Sequence, residues 1–173
     1  MKLYMLSFLI ILTFTAAAQK TDSLFMAAAV AKLKHAREYT LQVADLMPAD
    51  KYGFKPAAEE MAFGEQLLHL ASNLGWLSSG YLQKGINPVS KEDARLMEKA
   101  AIRAVLEKAY DYAIEACSRF NPGDLGDSVK FFAGPMNNLQ IINLINDHQT
   151  HHRGQLMVYL RLNGMTPPKY VGW

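Results

Sequence analysis

The chain has 173 residues, half of them hydrophobic, with a formal net charge of +2. That length fits one domain with a sizeable core and leaves little room for a second. No long Lys or Arg run is present, whereas nucleic-acid binders concentrate such residues in a patch or stripe, so no nucleic-acid partner is expected.

Residues 1–18 read as a secretory signal peptide. Lys2 supplies the positive end, residues 3–14 form an apolar run interrupted by Ser7 and Thr13, and Ala16 and Ala18 give a small-x-small cleavage pattern before Gln19. The competing reading is an uncleaved anchor, but such a run rises only about 18 Å as a helix against a bilayer core of about 30 Å. An exported protein, periplasmic or extracellular and without a stable membrane anchor, is therefore expected, with residues 19–173 as the folded domain.

Four helical patterns follow, and no alternating strand pattern competes with them. The first is predicted over residues 22–46, capped by Thr21 or Asp22 and ended by Pro48, with a loop over 48–56. The second is predicted over 62–81, where Phe63, Leu67, Leu70, Leu74 and Leu77 follow the three-and-four spacing of one buried face. Gly85 and Pro88 end it, and Ser90 with Asp93 approximates a capping box. The third is predicted over 91–120, with Leu96, Ala100, Val105, Ala109, Tyr112 and Ala116 as apolar positions and Asn121-Pro122-Gly123 as its stop. Residues 122–136 read as a crossover loop with room for a short extended piece around Phe131 and Phe132. The fourth helix is predicted from Met136 or Asn137 to Asn163, closed by Gly164 and by Pro167-Pro168. Tyr170 and Trp173 lie in a tail that can fold back. The fold class is all-α: a four-helix bundle with a longer crossover between helices 3 and 4.

The single cysteine, Cys117, has no partner for an internal disulfide and reads as a small core residue. The five histidines are at 35, 69, 148, 151 and 152. At about 100° per residue, His148 and His152 stack one turn apart on the stripe that carries Ile141, Leu144, Ile145, Leu156 and Tyr159. Two imidazoles in an apolar stripe need partners for their ring nitrogens, and a metal ion satisfies one on each. His69 sits at the border of the leucine stripe, where a neighbouring helix closes over it. Three histidines with an open fourth position make a catalytic-type site for one divalent ion. Residue 149 is Gln where zinc proteases carry Glu, so their mechanism is not expected. His151 points about 100° away from His152, and His35 has no neighbour of its kind.

Glu65, one turn before His69, is either the catalytic base or the acceptor orienting His69, or else a solvated surface carboxylate. Gln155 either contacts a pocket ligand or hydrogen-bonds a neighbouring helix. Arg153 reads as a structural ion-pair partner and Gly154 as a point of close helix approach. Trp76 and Tyr159 are candidate walls of the crevice.

Phe63-Gly64-Glu65-Gln66-Leu67-Leu68-His69, Asp147-His148-Gln149-Thr150-His151-His152-Arg153-Gly154-Gln155-Leu156 and the following Tyr159-Leu160-Arg161-Leu162-Asn163-Gly164 with Pro167-Pro168 together resemble the DinB/YfiT-like superfamily of metal-binding four-helix bundles, over nearly the whole chain after residue 18. The resemblance implies the same triad of His69, His148 and His152. It also implies zinc or nickel, with iron or manganese as further candidates, and a homodimer. Characterised relatives include transferases and isomerases using low-molecular-weight thiols, which are scarce outside the cell. The expected function is therefore a metal-dependent hydrolase or transferase acting on an unknown small-molecule substrate. The alternative is a non-catalytic protein whose metal site holds a ligand, ties helices together or is vestigial.

Overall fold

The computed structural model describes residues 2–93 and 97–172, with side chains described from residue 20 onward. The side chains of the expected leader, Leu96 and Trp173 lie outside the described residues. Helix α1 spans Lys2–Leu46, α2 Phe63–Leu77, α3 Lys99–Arg119 and α4 Asn138–Leu162, and a hairpin of β1 (Ser128–Phe131) and β2 (Gly134–Asn137) precedes α4. Among the described residues no helix is long and apolar enough to cross a membrane.

The bundle is a ring in the order α1, α3, α2, α4, because α1 and α2 each pack against both α3 and α4. Consecutive helices α1–α2 and α3–α4 therefore sit on diagonals. Both of their connections cross the bundle end, so the crossover expected only between α3 and α4 has a counterpart before α2. The five residues of the leucine stripe on α2 are buried, as are Ile141, Ile145, Leu156 and Tyr159 on α4 and Cys117 on α3. Buried Ile102, Leu106, Tyr110 and Ala113 complete the face that α3 gives to the core.

Several boundaries differ from expectation. α1 runs unbroken through Thr21 and Asp22, so neither caps a helix start. The Ser90–Asp93 box does form, with Asp93 accepting from the Ser90 amide at 2.8 Å and Ser90 Oγ accepting from the Asp93 amide at 3.1 Å. It closes a local turn rather than α3, which begins at Lys99 after an extended Glu98, and Ala100 is exposed. α2 ends at Leu77 and continues as one π-helical turn, Ser78–Leu82. Gly75 allows this region to be crossed closely, since an added Cβ would meet Asn87, Pro88 and Val89.

α4 is framed as its sequence dictates. Asn137 accepts from the Gln140 amide and Gln140 accepts from the Asn137 amide, each at 2.9 Å. At the other end Gly164, at φ +76°, allows the Gly164 and Met165 amides to reach the Arg161 and Leu160 carbonyls, a Schellman closure. The extended piece before α4 is a full hairpin, pairing Ser128 with Asn137 through Phe131 with Gly134. The tail returns over α1, with Tyr170 edge-on to Tyr39 and the Tyr39 hydroxyl donating to the Pro168 carbonyl.

Candidate metal centre

His69 on α2 and His148 and His152 on α4 come together so that one ring nitrogen of each lies within 4.8 Å of the other two. The antiparallel packing of α2 against α4 makes this meeting: Gln66 faces His152, and His69, one turn on, faces His148. The ring centroids are 4.5 to 5.0 Å apart. His152 is only 8% exposed, whereas His69 and His148 are half-buried and leave one side of the cluster open.

The proton on His152 is positioned by a chain of four groups. The Tyr159 hydroxyl donates to the Met61 carbonyl at 2.8 Å, so toward Gln66 it can only accept. Gln66 accordingly turns its amide nitrogen to Tyr159, at 3.5 Å, and its oxygen to His152 Nδ1, at 2.5 Å. The acceptor oxygen holds the imidazole proton on Nδ1, leaving Nε2 with a free lone pair. Sequence periodicity did not single out Gln66. The signal available was a buried-face amide three residues before a candidate ligand.

His69 Nε2 and His148 Nε2 face each other at 3.2 Å. Two ligand nitrogens on one tetrahedral zinc, at bond lengths of 2.0–2.1 Å, stand about 3.3 Å apart. Burial pushes all three imidazoles toward the neutral form. His148 and His152 are each lowered to about 4, first by burial and then by neighbouring histidines, and His69 is lowered by burial alone. Neutral imidazole is the form that ligates a metal. One further polar atom belongs to this region: the Gln155 carbonyl oxygen is buried and has no hydrogen-bond partner among the described residues. Gln155 faces His152, where a hydrogen bond between the two side chains would favour the protonated ring, and no helix–helix hydrogen bond claims its oxygen. Three neutral imidazoles whose ring nitrogens close to within 4.8 Å of one another fit a divalent ion.

Other sequence candidates fall outside the cluster. Glu65 is exposed at the start of α2, where its carboxylate accepts from the Ala62 amide at 2.7 Å and pairs with Lys55 at 3.5 Å. The Ala62 hydrogen bond is the main cause holding Glu65 below the usual carboxylate range. His151 is exposed, edge-on to His152, and His35 is exposed on α1. Arg153 does not make the ion pair expected of it. It is 5% exposed, donates to Thr40, Gln149 and Thr150, lies over the Tyr39 ring, and has no carboxylate partner among the described residues. Gly154 is exposed with open space around it, so the close approach expected there is absent. Of the two expected wall aromatics, Tyr159 is buried behind Gln66, and Trp76 is partly exposed in a cluster with Tyr81, Phe131 and Phe132.

The chain is similar to several known proteins. The uncharacterized protein YjoA of Bacillus subtilis (strain 168) is 23% identical over 134 residues, covering 75% of this chain and 85% of its own. A crystal structure of a DinB-like protein from Bacillus cereus ATCC 10987 superposes with a TM-score of 0.69 at 22% identity, over 80% of this chain and 92% of that one. The crystal structure of the DinB-like protein YjoA from Bacillus subtilis gives 0.68 at 17% identity, over 83% and 96%. These similarities establish the shared fold. Residues 19–172 match the sequence profile of the DinB family, and the chain belongs to that family.

Proposed function

We propose that the protein binds one divalent metal ion through His69, His148 and His152 and uses it as a hydrolase or transferase. The observation that carries this reading is the closure of three neutral imidazoles, from two helices, to within 4.8 Å. Zinc and nickel suit an all-imidazole set best, with iron next and manganese, which prefers oxygen ligands, last. Such an ion supplies Lewis-acid activation of water or of a substrate oxygen. The chain's residues then divide the work. Gln66 and Tyr159 lock His152 with its Nε2 free, His69 and His148 border the open side where a substrate enters, and the Gln155 oxygen accepts a hydrogen bond from the group held there. Glu65 is occupied by the Ala62 amide and Lys55, so no proton transfer is assigned to it. The half-exposed His69 and His148 favour this reading over a closed structural site.

Metal analysis of the purified protein tests it. One equivalent of metal is expected in the wild type, with affinity reduced at least about a hundredfold in His148→Ala and His152→Ala. Equal metal retention by both variants would overturn the assignment.

We also propose that the protein is exported and cleaved after Ala18. The leader pattern supports this, as does the start of the family match at residue 19. The intact mass of protein recovered from its native host is expected to show Gln19 as the first residue. A full-length chain retained in the cytosol would sink the proposal.

A further inference from the structure

The tip of the β1–β2 hairpin carries Phe132 at 82% exposure, an uncommon position for a phenylalanine at a tight turn. It is not isolated. Its ring lies 4.5 Å from Phe131 and 6.2 Å from Trp76, at interplanar angles of 40° and 37°. Phe131 stacks on Trp76 at 5.7 Å and 30°. The three rings pack on one another as an aromatic shelf, whose exposed parts are Phe132 and the edge of Trp76 while Phe131 is buried between them. Trp76, itself 37% exposed, forms its inner end.

The position of the shelf gives it meaning. Trp76 is seven residues after His69, two turns along the same face of α2, which places it about 10 Å from the histidine cluster. Asn73 lies between them on that face, half-buried, and its side-chain amide makes no hydrogen bond to another side chain or backbone group among the described residues. Opposite, half-buried Leu144 precedes His148 by one turn on α4. The surface between α2 and α4 therefore runs from open imidazoles, past a free amide, to an aromatic shelf.

We infer that this surface selects an elongated small molecule: a metal-binding oxygen head at His69, His148 and His152, and an aromatic or aliphatic tail lying on Trp76 and Phe132 about 10 Å away. This rests on the metal reading above and adds the substrate's apolar end. A single ligand of this kind covers the open metal side and the exposed rings at once.

Two hydroxamates test it on the zinc-loaded full chain by calorimetry: acetohydroxamate, which has the head alone, and a phenylalkyl hydroxamate long enough to reach the shelf. The tail is expected to tighten binding about tenfold or more in the wild type, from aromatic stacking and apolar burial. Phe132→Ser should remove most of that gain while moving acetohydroxamate affinity less than about twofold. The exposure of Phe132 keeps this variant folded, and Trp76→Leu provides a second loss of the gain from the other end of the same shelf. A tail that adds nothing, or whose gain survives both substitutions, overturns the inference and leaves the metal reading standing. Failure of acetohydroxamate to bind zinc-loaded protein removes the open metal position and the inference with it.

Discussion

At the residue scale, a backbone carbonyl decides which nitrogen of His152 carries its proton. The Met61 carbonyl takes the Tyr159 proton, which turns Gln66 and so places the His152 proton on Nδ1. Gln66→Ala is accordingly expected to weaken metal binding about 10- to 100-fold, because the imidazole loses its orienting partner. Tyr159→Phe should weaken it less, since Gln66 keeps its contact with His152. Glu65→Gln should leave metal affinity unchanged and cost at most about 1 kcal/mol of stability through its capping role. Competition titration against a chromophoric chelator ranks all three. A larger loss for Glu65→Gln than for Gln66→Ala would return the carboxylate to the site. The histidines also fix a pH response. Folded His148 and His152 titrate near 4 against an ordinary 6.5, so between these values the unfolded chain holds more protons. Stability of the metal-free protein must therefore rise with pH across that window and flatten above it. Urea unfolding at pH 5 and pH 7 checks the sign, which His148→Ala should weaken. The i, i+4 spacing made the pair at 148 and 152 readable in advance. Gln66 was not, because an amide's role depends on which groups face it from other helices.

At the element scale, the four helices were legible from apolar spacing, and their ends only where a side chain closes them locally. Asn137 with Gln140 and Gly164 mark the ends of α4 within its own sequence. The start of α3 was misplaced because Ser90 and Asp93 satisfy each other equally well around an isolated turn. Thr21 and Asp22 failed as caps because α1 does not start there. Glycines divide in the same manner. An added methyl at Gly75 meets the 87–89 segment, whereas at Gly154 it meets nothing. Gly75→Ala is expected to destabilise by about 1–3 kcal/mol through overpacking. Gly154→Ala should stabilise by up to about 1 kcal/mol, through the helix-propensity difference at an exposed position. Thermal melts of the two variants in parallel should move in opposite directions, and a shared direction would refute this account of the helix contacts.

At the scale of the whole molecule, the site exists because α2 and α4 are neighbours in the ring although 60 residues lie between Leu77 and Asn138. Metal binding there should stabilise the fold itself, since an unfolded chain scatters the ligands. At a thousandfold excess over Kd the gain is about 4 kcal/mol. Added zinc should raise the Tm, a chelator should reverse the rise, and His69→Ala should abolish it. An unchanged Tm in the wild type would argue that the histidines do not ligate together. What residues could settle alone was local: the all-helical class, the buried leucine face, the terminal caps of α4, and the two histidines one turn apart. These depend on periodicity and on groups within a turn or two of each other. The meeting of His69 with the pair on α4, the Gln66 clamp, the burial of Arg153 without a carboxylate partner and the aromatic shelf were decided by packing. Each requires knowing how far one helix is rotated against another, or where a hairpin lands, and that follows from the sum of core contacts rather than from any one segment.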